Sequence, residues 1–165
     1  MNPNLFKTIG NKEIEQLKIE AENSPKKRSR ICLHLSHGDL VQESIICATQ
    51  SNYFRVHKHP CDRSESYALI EGKMSIDYFE DDGRWIGNLI LDSNDKSAPF
   101  IYRLNASVYH WVRPLTRFVV YHEVLTGPWE KNVVVEYAAF APDEGEKEKI
   151  VQYEKEITAI RGIIE

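Results

Sequence analysis

The sequence predicts a mainly β fold, an all-β sandwich or barrel with a helix at each end. Three observations predict it. Short segments rich in Val, Ile, Tyr, Phe and Trp recur from about residue 29 to 140. Turn signals such as HGD, EGK, DDG, DSND and TGP separate them. Helical periodicity is confined to the two ends of the chain. Many short strands at regular spacing build a sandwich or barrel rather than an alternating α/β fold.

Residues 11–23, NKEIEQLKIEAEN, carry Ile14, Leu17 and Ala21 at steps of three and four, one face of a helix. Asn11 is the expected N-cap, and Asn23-Ser24-Pro25 the stop. The run Lys26-Lys27-Arg28-Ser29-Arg30 follows. A solvated charge run is its default reading, although such a run can also bind a phosphate or carboxylate. The expected strands are RICLHL (30–35), ESIICAT (43–49), YFRVHKH (53–59), SYALIEG (66–72), KMSIDYFE (73–80), WIGNLILD (85–92), PFIYRL (99–104), YHWVRPL (109–115), RFVVYHEVL (117–125) and VVVEYAAF (133–140). Asp81-Asp82-Gly83 marks a hairpin between the fifth and sixth. Beyond them, Asp143 and Glu146 can form a capping box. Ile150, Tyr153, Ile157, Ile160 and Ile164 then make a stripe over about two heptads, too short for a coiled coil. The stripe is expected to dock on the barrel or on a second subunit, since left bare it is an aggregation liability. The expected units are a helical and basic segment (1–28) packing on the barrel, the barrel itself (29–142) and a C-terminal helix (143–165).

Composition bounds the function classes. The 165 residues suit one domain. The formal charge of -4 is too mild to imply a nucleic acid or an anionic membrane as partner. No apolar run approaches the ~20 residues of a membrane span. The start, MNPNLFKTIG, lacks a basic region followed by a long apolar one, so it does not read as a signal peptide. Cys32, Cys47 and Cys61 are odd in number and lack CxxC spacing, which fits a reducing cytoplasm rather than a disulfide framework.

The chemistry concentrates at residues 57–65, HKHPCDRSE. On a strand, residues i and i+2 share a face, so His57 and His59 stand side by side, with Arg55 on the same side. Glu65 opens the next strand and is brought back beside them by the intervening turn. His110 offers a third imidazole. Imidazoles and a carboxylate with positions left open suit one divalent transition metal, with Zn, Fe, Mn and Ni all admitted. A HxH pair alone is a weak signal, since two polar residues on a solvent face are unremarkable. The combination with Glu65, Gly72 at a turn and a later His after Asn105-Ala106-Ser107 is what discriminates.

The segment His57-Lys58-His59-x5-Glu65-x6-Gly72 resembles the first cupin motif, and Leu104 to His110 resembles the second. The resemblance implies a double-stranded β-helix, or jelly-roll barrel, with metal ligands at His57, His59, Glu65 and His110. It departs from the usual pattern in a longer gap before Glu65, and in Asn105 and Ser107 where Pro and Gly are common. More closely, SPKKRSRICLHLSHGDLVQESIICATQSNYFRVHKHP, ESYALIEGKMSI, FIYRLNASVYHWVRPLTRFVVYHEVLTGP and the FAP at 140–142 resemble the WbuC-type cupin family, over roughly residues 10–142. That likeness implies a role in bacterial surface-polysaccharide (O-antigen) assembly.

Other side chains are candidates for the lumen. Tyr67 and Leu69 share the parity of Glu65, and Phe100 and Tyr102 alternate with Ile101 and Arg103. Core packing accounts for most aromatics in a barrel this small. Tyr67 and His122 are the candidate proton-moving residues. His122 reads equally well as a satisfied core histidine, because its strand, FVVYHEVL, is apolar on both faces. Arg55, Tyr102 and Arg103 are the candidate substrate contacts, Arg55 either binding an anionic group or pairing with a carboxylate. Cys61 reads as a bystander, and His34 and His37 as surface residues.

The expected function is that of a metal-dependent isomerase- or epimerase-like enzyme acting on a sugar or sugar nucleotide. The alternatives are a non-catalytic binding or sensing cupin and an Fe(II) oxygenase. The expected partners are a small-molecule ligand and a second copy of the chain, with no nucleic acid and no membrane.

Overall fold

A computed structural model describes residues 6–130 and 134–164, with side chains to residue 162. Helix α1 (Asn11–Asn23) precedes ten strands: β1 (Arg28–Cys32), β2 (Val41–Thr49), β3 (His57–Lys58), β4 (Glu65–Glu71), β5 (Lys73–Phe79), β6 (Trp85–Asp92), β7 (Ile101–Leu104), β8 (Tyr109–Pro114), β9 (Phe118–Thr126) and β10 (Glu136–Tyr137). Helix α2 (Lys147–Ile164) closes the chain. The strands form two five-stranded antiparallel sheets, ordered β1-β2-β9-β4-β7 and β10-β3-β8-β5-β6. The strand spacing predicts a sandwich or barrel, and the two facing sheets form the jelly roll that the cupin resemblance implies.

Alternation along the strands sorts side chains into a lumen and two outer faces. Ile46, Tyr67, Leu69, Met74, Ile76, Val112 and Tyr121 meet in the core between the sheets. Residues of opposite parity on the first sheet, Ile45, Cys47 and Val120, receive Leu17 and Ala21 of α1. On the second sheet, Phe79, Trp85 and Trp111 receive Ile150, Ile157 and Tyr153 of α2. The C-terminal stripe therefore docks on the barrel. Its third isoleucine, Ile160, is exposed, and the side chain of Ile164 lies outside the described residues.

Two of the expected strands are reduced to two residues each. YFRVHKH pairs only at His57 and Lys58, and VVVEYAAF only at Glu136 and Tyr137, with Val133 outside the described residues. The turns follow glycine chemistry. Gly72, between β4 and β5, has φ +92°, and a Cβ there would meet the Phe118 carbonyl oxygen at 2.3 Å, so only glycine fits. Gly83 closes the β5–β6 hairpin at φ +90°.

Both helix starts differ in detail from expectation. Gly10, not Asn11, is the N-cap of α1, and its N–H donates to the Glu13 carboxylate at 2.9 Å. A glycine cap leaves Asn11 free to adopt helical geometry. Ahead of α2, the Asp143 N–H donates to Glu146 at 3.0 Å, but the Asp143 carboxylate is taken by Arg55. Only half of the capping box therefore forms.

Candidate metal centre

The pairing of β3 with β8 sets His57 directly opposite His110. His59 follows two residues after His57, just past the end of β3, and Glu65 begins β4 on the facing sheet. The four side chains offer ligand atoms that all lie within 4.8 Å of one another. The ring centroids of His57 and His110 are 4.5 Å apart, and those of His57 and His59 are 5.1 Å apart. Glu65, His59 and His110 are buried, and His57 is half-buried.

Each imidazole is oriented by the backbone. His57 Nδ1 lies 2.9 Å from the Arg55 carbonyl, His59 Nδ1 2.6 Å from that of Val134, and His110 Nδ1 3.1 Å from that of Val108. A carbonyl only accepts, so each Nδ1 is a donor and each neutral ring keeps its lone pair on Nε2. Two of these lone pairs face the carboxylate: His59 Nε2 is 3.2 Å from Glu65 Oε2, and His110 Nε2 is 3.2 Å from Oε1. Lone pairs cannot face carboxylate oxygens at that range without a cation between them. His110 Nε2 is buried with no aligned hydrogen-bond partner among the described residues.

Either protons or a metal ion can supply that positive charge. Burial pushes His59 down, but the hydrogen bond and charge of Glu65 outweigh it and raise its pKa. Burial likewise works against the Glu65 carboxylate, yet His110 and His59 hold it well below its usual range. His57 differs: burial and the adjacent His110 press it down to about 3, so at neutral pH it presents a bare lone pair. Neutral imidazoles with fixed Nδ1–H donors and an ionised carboxylate are the protonation states that metal coordination requires. The donor set fits a divalent transition ion.

Two tyrosines brace the carboxylate. Tyr67 donates to Glu65 Oε2 at 2.6 Å, and Tyr102 to Oε1 at 3.3 Å. Burial and the Glu65 charge push both phenols up, so each stays a hydrogen-bond donor. The cavity beside the cluster has a volume of ≈ 110 Å³, with Glu123, Tyr121, Phe54 and three arginines, Arg28, Arg30 and Arg55, on its walls.

The structure divides the sequence-based candidates. Tyr67 and Tyr102 join the four cluster residues in the lumen, and Arg55 lines the cavity, stacked on Tyr137 with 5.1 Å between guanidinium and ring. His122 and Arg103 are elsewhere. His122 is on the outer face of β9, 3.4 Å from Glu43. Arg103 has the outward parity of β7 and donates to Asn105, Ser66 and Ser64. Phe100, expected to face inward, precedes β7 and is exposed. Glu123, adjacent to His122, is the lumen residue of that pair, registered opposite Tyr67. Burial and the Glu65 charge raise its carboxyl to about 7, against the opposing pull of Arg30. Parity with Tyr67 was the signal for it, but the apolar residues on both sides of β9 hid which face is inside.

A family description, "Domain of unknown function (DUF6016)", matches residues 9–91, half of the chain. The chain belongs to the DUF6016 family. No curated protein matches its sequence. Among solved structures, protein SO0799 from Shewanella oneidensis superposes with a TM-score of 0.54 at 8% identity, covering 66% of this chain and 72% of that one. The capsular polysaccharide assembling protein CapF from Staphylococcus aureus gives 0.53 at 12% identity, over 67% of this chain and 31% of CapF. An oxalate oxidase gives 0.50 at 9% identity, over 69% and 56%. At such identities the likeness is one of fold. The DUF6016 chain has the cupin jelly roll, and its His/Glu cluster lies between the two sheets of that barrel. Among its described residues no helix is long and apolar enough to cross a membrane.

Proposed function

We propose that this DUF6016 protein is a metal-dependent cupin enzyme of the WbuC type. It acts on a sugar or sugar nucleotide in bacterial surface-polysaccharide biosynthesis, by an isomerase- or epimerase-like reaction. The observation that carries the metal-dependent part is the convergence of imidazole lone pairs on the Glu65 carboxylate, with every Nδ1 already committed to a backbone carbonyl. The sequence likeness to WbuC-type cupins and the fold likeness to a capsular polysaccharide assembling protein support the substrate class.

His57, His59, Glu65 and His110 would hold the ion, which supplies Lewis acidity toward a carbonyl or hydroxyl oxygen. Tyr67 and Tyr102 fix the carboxylate through their hydroxyl donors. Glu123 stands on the lumen wall with a pKa near neutrality, where a general acid or base works best. Pockets that bury a drug-sized ligand run to about 300–1,000 Å³. The ≈ 110 Å³ cavity is therefore sized for the reacting end of a sugar nucleotide and not for the whole molecule.

The proposal includes a cytoplasmic homodimer, which light scattering tests. Function is tested by elemental analysis of protein purified without added metal, followed by NMR of nucleoside diphosphate sugars incubated with it. About one equivalent of metal and conversion of at least one sugar are expected. Binding without conversion would instead identify a non-catalytic ligand-binding cupin, and a metal-loaded protein that neither binds nor converts any of them would end the enzymatic reading.

A further inference from the structure

β1, the edge strand of its sheet, contributes to the wall of the His/Glu cavity. Arg28 and Arg30 sit two residues apart on β1, opposite Ala48 and Ile46 of β2. Ile46 belongs to the lumen core, so both arginines are on the inward-facing side of the sheet. The intervening Ser29 turns the other way and donates to the Leu17 carbonyl of α1. At this edge Arg30 is exposed to solvent, and both arginines line the cavity together with Arg55. We propose that Arg30, with Arg28 and Arg55, forms a subsite at the cavity mouth for an oxyanion carried by the ligand, a phosphate ester or a carboxylate. The inference rests on reading the cavity as a ligand site.

The three arginines are not equally engaged. Arg28 is held by Glu144 at 2.6 Å, donates to the Tyr53 carbonyl at 3.1 Å and lies over the Phe54 ring at 4.7 Å. Arg55 is paired with Asp143 and donates to the Ala138 carbonyl at 3.2 Å. Arg30 has no carboxylate within ion-pair distance among the described residues, and it is exposed. Asp143 therefore offsets the charge of Arg55, and Glu144, shared with Lys26 at 2.7 Å, offsets that of Arg28 in part. The remaining acids that line the cavity are Glu123 and Glu65, and neither forms an ion pair with Arg30. The mouth keeps an unmatched guanidinium, next to two others already fixed in place. A planar guanidinium offers paired N–H donors that match a carboxylate or phosphate oxygen pair. The cavity is small, at ≈ 110 Å³, so the rest of a larger ligand would lie outside it, where Arg30 is exposed.

The test titrates inorganic phosphate and, separately, malonate into the full chain at constant ionic strength, followed by NMR. It uses the wild type, Arg30→Gln, Arg30→Lys and the His57→Ala/His59→Ala double variant. Saturable binding is expected in the wild type, weakened at least tenfold by Arg30→Gln and partly restored in Arg30→Lys. It should persist in the histidine variant, which separates the arginines from anion binding at a metal. Arg30-dependent binding of phosphate alone assigns a phosphate ester, malonate alone a carboxylate, and both the shared oxyanion chemistry. No saturable binding of either anion, an affinity unchanged by Arg30→Gln, or loss of binding in the histidine variant would overturn the subsite. Metal content read on the same samples tests the metal proposal independently: metal-free protein with Arg30-dependent binding overturns that reading and keeps the subsite.

Discussion

Two carboxylates are almost completely buried in this barrel, and their surroundings are opposite. Glu65 is 2% exposed and Asp77 is 0% exposed. Asp77 lies on the outer face of the second sheet, under α2. It accepts from Trp85 Nε1 at 3.0 Å and Ser75 Oγ at 3.1 Å, with Arg113 and Arg161 each at 3.6 Å. All of these partners are donors or permanent cations, so the charge is answered inside the protein. Glu65 meets two imidazoles whose Nδ1 donors are already used by backbone carbonyls, so that only Nε2, protonated or bearing a lone pair, faces it. A buried acid by itself marks nothing. The direction of the lone pairs around it separates a structural ion-pair network from a cluster that could hold a cation.

The comparison breaks most visibly if the histidines are removed. His57→Ala/His59→Ala should lose stoichiometric metal by elemental analysis while the far-UV circular dichroism is retained. Full metal content in that variant would remove the assignment. Next in size is Asp77→Ala, which strips the acceptor from Trp85 and Ser75 and the counter-charge from Arg113. It should cost about 3 kcal/mol in chemical denaturation and leave metal content unchanged. Unaltered stability would mean that α2 docks without this network.

Glu123 gives a pH-dependent contrast in metal-free protein. Its carboxyl titrates near 7 in the fold against an ordinary value of 4.5. Between those values the native state binds more protons than the unfolded chain, so its contribution falls as pH rises through that window and then levels off. Glu123→Gln should therefore gain about 1–3 kcal/mol on wild type between pH 4 and pH 8. A pH-independent difference in urea melts would show that the carboxyl is solvated. The smallest effect is expected at His122, paired with Glu43 on the outer surface. His122→Asn should change stability by less than about 1 kcal/mol and alter neither metal content nor turnover. A large loss of activity would return His122 to the site.

What the sequence disclosed followed the arithmetic of strands. His57 and His59 are two apart on extended chain, Glu65 and Tyr67 share parity, and each pair is in the lumen. The orientation of β9 was not legible, because Val120 is buried against α1 while Tyr121 is buried in the barrel. With both faces apolar, alternation cannot choose between His122 and Glu123, and only the register with β4 decides. Arg28 and Arg30 were hidden differently. Within a run of basic residues their two-residue spacing looks like a solvated charge cluster until β1 is seen to begin at Arg28. Tyr102 and Arg103 are adjacent on one strand, so they could not both face the lumen, and the hydroxyl of Tyr102 reaches Glu65.

The hydrogen bond from His59 to the Val134 carbonyl spans 75 positions. Every proposed ligand has been synthesised once residue 110 has emerged, yet the group that fixes the His59 ring arrives only with the segment leading into β10. The family match ends at residue 91, before His110 and before Val134. A fragment stopping short of β10 would carry all four proposed ligands and still lack the backbone acceptor that orients the His59 ring.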